Sequence, residues 1–148
     1  MSTHTINAYQ WQDLRIGLEH AFQATITETM MERFLAISGD CNPLHVDATF
    51  AVRQGFRDRV VYGLLTASFY STLAGVYLPG RFALLHGIDI AFSKPVFIGD
   101  TLTISGRIVY LNEACKQLQV GATIVNDAEV VVSKAKIKVG LVDDKEPA

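Results

Sequence analysis

The chain has 148 residues, of which 49% are hydrophobic and 19% are charged. This length fits one domain, and the apolar content excludes a disordered chain and supplies a sizeable core. There are 13 basic and 15 acidic side chains, which give a net charge of −2. Because there is no excess of basic residues to meet a phosphate backbone, a nucleic-acid-binding function is not expected.

The N-terminus and the two cysteines bear on the compartment. Residues 1–10 lack a basic flank followed by an apolar run, so they do not have the pattern of a signal peptide. Cys41 and Cys115 lie far apart without a second pair, which favours free thiols over a disulfide framework or a zinc site. The apolar stretch over residues 60–78 contains Tyr, Gly, Thr and Ser and is typical of a buried helix. We therefore predict one cytoplasmic domain, 1–148.

An arm, a strand and a helix are predicted first. Residues 1–14 are mixed and polar, and we interpret them as an N-terminal arm that packs only through its aromatic side chains. Apolar and polar residues alternate over 21–27, which predicts a half-buried strand. Thr27 suits the N-cap of the helix that follows. Apolar residues at helical spacing predict one buried face of this helix: Met30, Met31, Phe34, Leu35 and Ile37.

The helix leads into a short segment that is rich in side chains able to do chemistry. Residues 38–45 read Ser-Gly-Asp-Cys-Asn-Pro-Leu-His. Gly39 can end a helix at positive φ, and Pro43 disfavours helix at the residue before it, so we expect a rigid loop. On such a loop Asp40 and His45 can share one water, one side chain taking a proton while the other returns one. Because Asp, Asn and Pro also form ordinary turns, these residue types alone fit a structural loop as well.

The chain after this loop begins with a short helix and a charged turn. Asp47 occupies the N-cap position of a helix predicted over 48–52, and capping alone accounts for an aspartate there. Arg57 and Arg59 flank Asp58 in the next turn. Solvated charges are the simplest interpretation of this turn. The alternative is that the two arginines bind the phosphates of a coenzyme A-like group.

Residues 62–76 form the most apolar helical pattern in the chain. They are apolar nearly all round, so this helix must be covered on most sides, and a sheet curled around it would do so. Gly63 lies near its start, where the N–H groups of the first turn and the helix dipole can stabilise a developing oxyanion. Close packing of the preceding loop explains a glycine at this position equally well.

Strand patterns occupy the remainder of the chain. Alternation predicts strands over 81–92, 101–106, 118–125 and 130–142, followed by a frayed charged tail, 143–148. His86 and Asp89 are interpreted as surface or interface residues. The element order predicts an α+β fold in which an antiparallel sheet wraps a central helix. The sequence has no Gly-rich phosphate loop, metal-ligand spacing or serine nucleophile elbow.

Several segments together resemble one known family. Residues 38–45, followed by Asp47, resemble the hydratase motif of the MaoC-like dehydratases, in particular the (R)-specific enoyl-CoA hydratases. Residues 60–65 (Val-Val-Tyr-Gly-Leu-Leu) are similar to that family's helix-opening segment. Residues 78–100, from Leu-Pro-Gly at 78–80 through Lys-Pro-Val-Phe-Ile-Gly-Asp at 94–100, are similar to its central strand and following turn. The resemblance covers most of the chain in the right order and implies the hot-dog fold.

The resemblance also implies a reaction and a set of site residues. The reaction is the reversible hydration of trans-2-enoyl thioesters to (R)-3-hydroxyacyl thioesters, carried by coenzyme A or an acyl carrier protein, with no cofactor and no metal. The motif's acid and imidazole fall on Asp40 and His45. The serine that supports the acid falls on Ser71. The helix-start glycine, whose N–H binds the thioester carbonyl, falls on Gly63.

Two further residues are assigned to substrate binding on the same basis. Asn42 is expected to orient the loop. The family usually has His before the helix-start glycine, whereas this chain has Tyr62. We expect Tyr62 to tune the substrate rather than do the chemistry, since a phenol with a pKa near about 10 is a poor base at neutral pH.

The predicted sheet also bears on the oligomeric state, and two alternative functions fit the same fold. A single curled sheet leaves edges and an apolar flank that a partner would cover, so we predict a homodimer. A hot-dog acyl thioesterase would hydrolyse the thioester instead of hydrating it. A non-catalytic protein of the same fold would only bind acyl thioesters.

Overall fold

The structure, a computed structural model, describes residues 5–145 and 147. Its sheet contains five strands: β1 (Glu19–Thr25), β2 (Ala83–Phe92), β3 (Thr101–Asn112), β4 (Gln117–Val125) and β5 (Val131–Leu141). They lie in the order β1-β3-β4-β5-β2, and all neighbouring strands are antiparallel. All five predicted strands are present, although β1 lies two residues before the predicted 21–27 and β3 continues six residues beyond the predicted 101–106. Strands β1 and β2 form the two edges.

Four α-helices accompany the sheet within the part of the chain that the structure describes: α1 (Glu28–Ser38), α2 (Pro43–Val46), α3 (Ala48–Arg53) and α4 (Gly63–Thr72). The helix predicted over 62–76 is α4 together with a π-helical turn, Leu73–Tyr77. A short 3₁₀-helix, Trp11–Asp13, lies within the N-terminal arm. The prediction of irregular loop up to residue 45 was wrong, because Pro43 starts α2 and proline is well tolerated in the first turn of a helix.

Caps fix the two ends of α1 and thereby the start of the loop. The Met30 N–H donates to Thr27 Oγ1 over 3.2 Å, which confirms the predicted N-cap. Gly39 has φ 69°, and its N–H donates to the Leu35 carbonyl over 2.8 Å. The left-handed conformation that glycine adopts without a Cβ penalty therefore ends α1 one residue before Asp40.

The core lies between α4 with its π-helical turn and the inner face of the sheet. Alternate residues of β4 are buried, as the period of a strand requires. A Cβ at Gly106 of β3 would lie 2.7 Å from the Leu73 side chain, so this glycine lets the helix approach the sheet closely. The largest buried side chains cluster at this contact and hold the central helix in place: Tyr70, Leu73, Ile104, Ile108, Leu118 and Ile124.

One stripe of α4 and its extension is not covered by the sheet. Leu64, Ser68, Ser71 and Gly75 recur at helical spacing and are exposed, Leu64 to 67% of its surface. The sheet therefore wraps the helix on one side only within a single chain.

The N-terminal arm pairs with the core through its backbone. The Asn7 N–H donates to the Val76 carbonyl over 2.9 Å, and Ala8 bridges Gly80. The expectation that only aromatic side chains anchor the arm was wrong, because these backbone groups also pair. Residues 1–4 of the arm and residues 146 and 148 of the predicted tail lie outside the described residues. Within the described chain, no helix combines the length and apolar character needed to cross a membrane.

Candidate active site

The loop after α1 is held by a relay of short side-chain to backbone hydrogen bonds. The Asp40 N–H donates to Ser38 Oγ over 3.1 Å. The Asn42 N–H donates to Asp40 Oδ1 over 3.2 Å, and the Leu44 N–H donates to Asn42 Oδ1 over 2.9 Å. Each polar residue of the motif thus fixes the backbone two residues away, which is the turn chemistry expected of Ser, Asp and Asn. This relay gives Asp40 a defined direction.

His45 is positioned by α2 and by a backbone carbonyl from the segment before α4. Its Nδ1 lies 2.6 Å from the Val60 carbonyl oxygen. Because a carbonyl can only accept, Nδ1 must carry the proton of this hydrogen bond. In the neutral ring Nε2 is then an acceptor, which is the tautomer that can receive a proton from a water.

Tyr62 joins the loop to the start of α4. Its hydroxyl donates to the backbone carbonyl of Asp40 over 2.7 Å. Its ring stacks on the His45 ring with 4.2 Å between centroids, and the centroid of the Phe34 ring lies 4.7 Å away. Burial, and then the nearby negative charge of Asp40, raise the pKa of Tyr62 above its usual value. The neutral phenol is therefore the form present at neutral pH, as this hydrogen bond requires.

Two cavities meet beside these residues. One of about 360 Å³ is bordered by Asp40, His45, Tyr62 and Gly63. The other, also about 360 Å³, is lined mostly by apolar side chains between α4 and the strands. Both are bordered by His45, Gly63 and Phe92, so the acid and the imidazole lie next to a space suited to an acyl chain.

Gly63 is the first residue of α4 and borders both cavities. The first-turn N–H groups of a helix have no acceptor within the helix, and the dipole makes this end partly positive. A Cβ at Gly63 would lie 3.2 Å from the Phe92 ring, so the absent side chain leaves room on that flank. This end of α4 can therefore stabilise negative charge that develops on a carbonyl oxygen.

The single chain does not bring every predicted site residue together. Ser71 lies in the last turn of α4, exposed, and does not border the cavity with Asp40. Eight residues of helix separate it from Gly63, which corresponds to about 12 Å along the axis. Asn42 borders neither of the two cavities, and its side chain caps α2, as expected for a residue that orients the loop.

Both arginines of the turn before α4 are paired with carboxylates. Arg59 donates to both carboxylate oxygens of Glu28 at 2.6 Å, and Arg57 pairs with Asp100 at 3.2 Å. These ion pairs do not favour the alternative that the arginines bind phosphates. Asp47 acts as the predicted N-cap, accepting from the Phe50 N–H over 3.1 Å.

Sequence reasoning missed three contributors to the site: Phe34, the Val60 carbonyl and Phe92. Phe34 was assigned to the buried face of α1, and Phe92 was read as one of several alternating residues of β2. Pro95, three residues after Phe92, is the one sequence signal near this strand end. The role of Val60 left no signal, because a backbone carbonyl carries no side-chain identity.

The sequence and the fold of this chain both match known proteins. Residues 15–131 match the family model described as MaoC like domain. The chain belongs to the MaoC-like family. The (R)-specific enoyl-CoA hydratase of Aeromonas caviae is 35% identical to this MaoC-like chain over 102 residues, which are 69% of this chain and 76% of that protein. The 3-hydroxybutyryl-CoA dehydratase of Methylorubrum extorquens is 30% identical over 138 residues, covering 93% and 88% of the two chains.

Solved structures of the MaoC-like family agree with the architecture. The (R)-hydratase from A. caviae superposes with a TM-score of 0.84 at 30% identity, covering 88% of this chain and 99% of that one. The predicted hot-dog fold is confirmed. The family prediction made from residues 38–45, 60–65 and 78–100 is confirmed as well.

Proposed function

We propose that this MaoC-like protein hydrates trans-2-enoyl thioesters to (R)-3-hydroxyacyl thioesters and catalyses the reverse dehydration. The observation that carries the proposal is that Asp40 and His45 border one cavity at the amide end of α4. Similarity to an (R)-specific enoyl-CoA hydratase and a 3-hydroxybutyryl-CoA dehydratase supports it. The acyl carrier is coenzyme A or an acyl carrier protein, and the reaction uses no cofactor.

The geometry suggests how each group acts in the hydration direction. The thioester carbonyl accepts hydrogen bonds from the first-turn amides at Gly63, and a water lies between Asp40 and His45. One of these two side chains takes a proton from the water while the water oxygen bonds to C3. The electron pair of the double bond moves toward the thioester oxygen, where the amides stabilise the enolate. A proton then returns to C2 on the same face, and dehydration reverses these steps.

A spectroscopic assay tests this proposal against the thioesterase. Crotonyl-CoA and longer trans-2-enoyl-CoA homologues should lose the absorbance of the conjugated thioester, and chiral analysis of the product should give the (R)-alcohol. Saturated acyl-CoA should release no free thiol. Thiol release without loss of conjugation would instead identify a thioesterase, and ligand binding without turnover would identify a binding protein.

We further propose that the functional unit is a homodimer. Edge strand β2 exposes Leu84 and Phe92, and Ile37 at the end of α1 is 83% exposed, so its predicted place on the buried face of that helix was wrong. Leu64 of the uncovered stripe and Phe92 border the cavity beside Asp40 and His45, so part of this exposed apolar surface lies next to the site, which is typical of an interface. Light scattering at micromolar concentration should show two chains, and a monomer would contradict the assignment.

The dimer also bears on Ser71 and on the compartment. Ser71 lies in the uncovered stripe, so a partner that covers this stripe would enclose it, and we place its support of the acid within the assembled dimer. Cys41 and Cys115 are both free and exposed, which fits a reducing compartment, and we therefore assign the protein to the cytoplasm.

A further inference from the structure

We propose that Tyr62 is a positioning residue, which holds the Asp40 loop, the His45 ring and the start of α4 in one fixed arrangement. This inference rests on the proposed hydration reaction and deepens it. In place of the substrate-tuning role expected from the sequence, it gives Tyr62 a structural role, and it assigns no proton transfer to the phenol. The role is to place the groups that do the chemistry.

The contacts of the side chain support this role. The hydroxyl donates to the Asp40 carbonyl over 2.7 Å, and one face of the ring lies on the His45 imidazole with 4.2 Å between centroids. Phe34 of α1 contacts the same ring at 4.7 Å. Only 2% of Tyr62 is exposed, so these contacts confine the side chain except where it borders the cavity. Because the hydroxyl proton is directed at the loop backbone, it is not available to donate to a substrate.

The backbone of Tyr62 adds the third attachment. The residue occupies the N-cap position of α4, and its carbonyl accepts from the Leu65 N–H over 3.1 Å and the Thr66 N–H over 3.2 Å. The amides of Gly63 and the acid–imidazole pair are therefore linked through a single residue. A displacement of about 1 Å between reacting groups can cost on the order of 10²-fold in rate, so this link has a catalytic consequence.

Tyr70 provides a matched control within the same helix. It is also fully buried, and its hydroxyl makes one hydrogen bond of 2.9 Å, to Ser133 Oγ. It borders neither cavity of the site. Tyr62→Phe and Tyr70→Phe therefore each delete one buried phenol hydrogen bond, but only the first deletes a contact to the loop.

The experiment compares kcat and KM for hydration of crotonyl-CoA by the full-length variants. Tyr62→Phe should lower kcat about tenfold, the upper range for one neutral hydrogen bond, while KM stays within about twofold. Tyr62→Leu, which also removes the stack on His45, should lose on the order of 100-fold. Tyr70→Phe should keep wild-type kcat within about twofold, although it should lower the free energy of unfolding about as much as Tyr62→Phe does.

Hydrogen exchange supplies a readout that does not depend on turnover. The amides of Asn42 and Leu44 donate within the loop, so their exchange should become faster in Tyr62→Phe and stay unchanged in Tyr70→Phe. Unchanged kcat and exchange in Tyr62→Phe would overturn the proposal, as would a raised KM at unchanged kcat, which indicates a substrate contact. Equal kcat losses in both variants would also overturn it, since they report stability alone. If the wild-type protein hydrates no enoyl thioester, the proposed function fails, and exchange still decides the role of Tyr62.

Discussion

Asp40 and His45 should act as one unit on one water, and paired substitutions test this. Asp40→Asn keeps an Oδ1 acceptor for the Asn42 N–H but removes the carboxylate. His45→Gln keeps a polar side chain but removes the titratable ring, its hydrogen bond to the Val60 carbonyl and its stack on Tyr62. Each of these two losses costs about 0.5–1.5 kcal/mol, against a typical total stability of about 5–15 kcal/mol. Both variants should therefore fold.

The loss of kcat in the double variant shows whether Asp40 and His45 act together or independently. Each single substitution should lower kcat by roughly 10²–10⁴-fold, the range for acid–base catalysis, which equals about 2.7–5.4 kcal/mol in the barrier. Independent groups would give roughly 10⁴–10⁸-fold in the double variant. If both side chains must bind the same water, the survivor of either single change contributes little, and the double variant should be only slightly worse than the poorer single.

The assay is kcat for crotonyl-CoA hydration by the two single variants and the double variant. His20→Gln and Asp127→Asn make the same chemical changes at residues that border neither cavity of the site, and their combination should retain wild-type turnover. Losses that multiply in Asp40→Asn/His45→Gln, or near-normal turnover in either single variant, would refute the shared-water mechanism. The motif would then be a structural loop in a protein that binds acyl thioesters without hydrating them.

Three further predictions use other features of the structure. In Gly63→Ala the new Cβ would lie 3.2 Å from the Phe92 ring, which can shift because half of it is exposed. The helix-propensity gain of up to about 1 kcal/mol should offset that shift, so the melting temperature should barely change while KM rises. Gly106→Ala would place its Cβ 2.7 Å from a leucine methyl of the α4 extension, and denaturant unfolding should show a loss of about 1–3 kcal/mol. Burial raises the pKa of Tyr62 and of Tyr70 in the folded protein. The stability that each neutral phenol contributes is therefore present below the unfolded-state pKa of about 10, and it is lost as the pH rises toward the folded-state pKa. An alkaline titration should show their phenolate absorbance appearing together with unfolding.

The sheet could be predicted from the sequence because its signal is local. Alternating burial along β4 follows directly from alternating apolar residues, and the same pattern located β5 and the first half of β3. For edge strand β2 the pattern predicted the bounds but not the covered face. Its register against β5 shifts between Leu85 and Gly87, and Leu84 is 51% exposed although it follows the apolar period. Which face of an edge strand is covered depends on what packs against it, and a linear pattern does not contain that information.

The location of the site was predictable, whereas its internal connections were not. Asp40 and His45 stood out because an acid and an imidazole lay on one short segment after a helix. The partners of His45 and of the loop, the Val60 carbonyl and the Tyr62 hydroxyl, come from a segment 15 to 22 residues further along the chain. Tertiary structure brings these groups together, and one of them is a backbone atom without any sequence signature. Resemblance to a family indicated Ser71, but the single chain leaves that residue in an exposed stripe.

In each reactive side chain of the site, one polar atom makes a hydrogen bond within the protein and the other is left for the reaction. Asp40 Oδ1 accepts from the Asn42 N–H, which leaves Oδ2 for a water, and His45 Nδ1 donates to Val60, which leaves Nε2. The Val60 N–H donates to the Leu44 carbonyl over 3.0 Å, so the same two segments are joined in both directions. Folding therefore fixes the orientation of both groups before substrate binds. The entropy cost of aligning them does not add to the activation free energy of the reaction. We therefore expect Tyr62→Phe, which removes a hydrogen bond that holds the loop, to slow the reaction about tenfold, whereas Asp40→Asn or His45→Gln, which removes a reacting group, should lower kcat by roughly 10²–10⁴-fold.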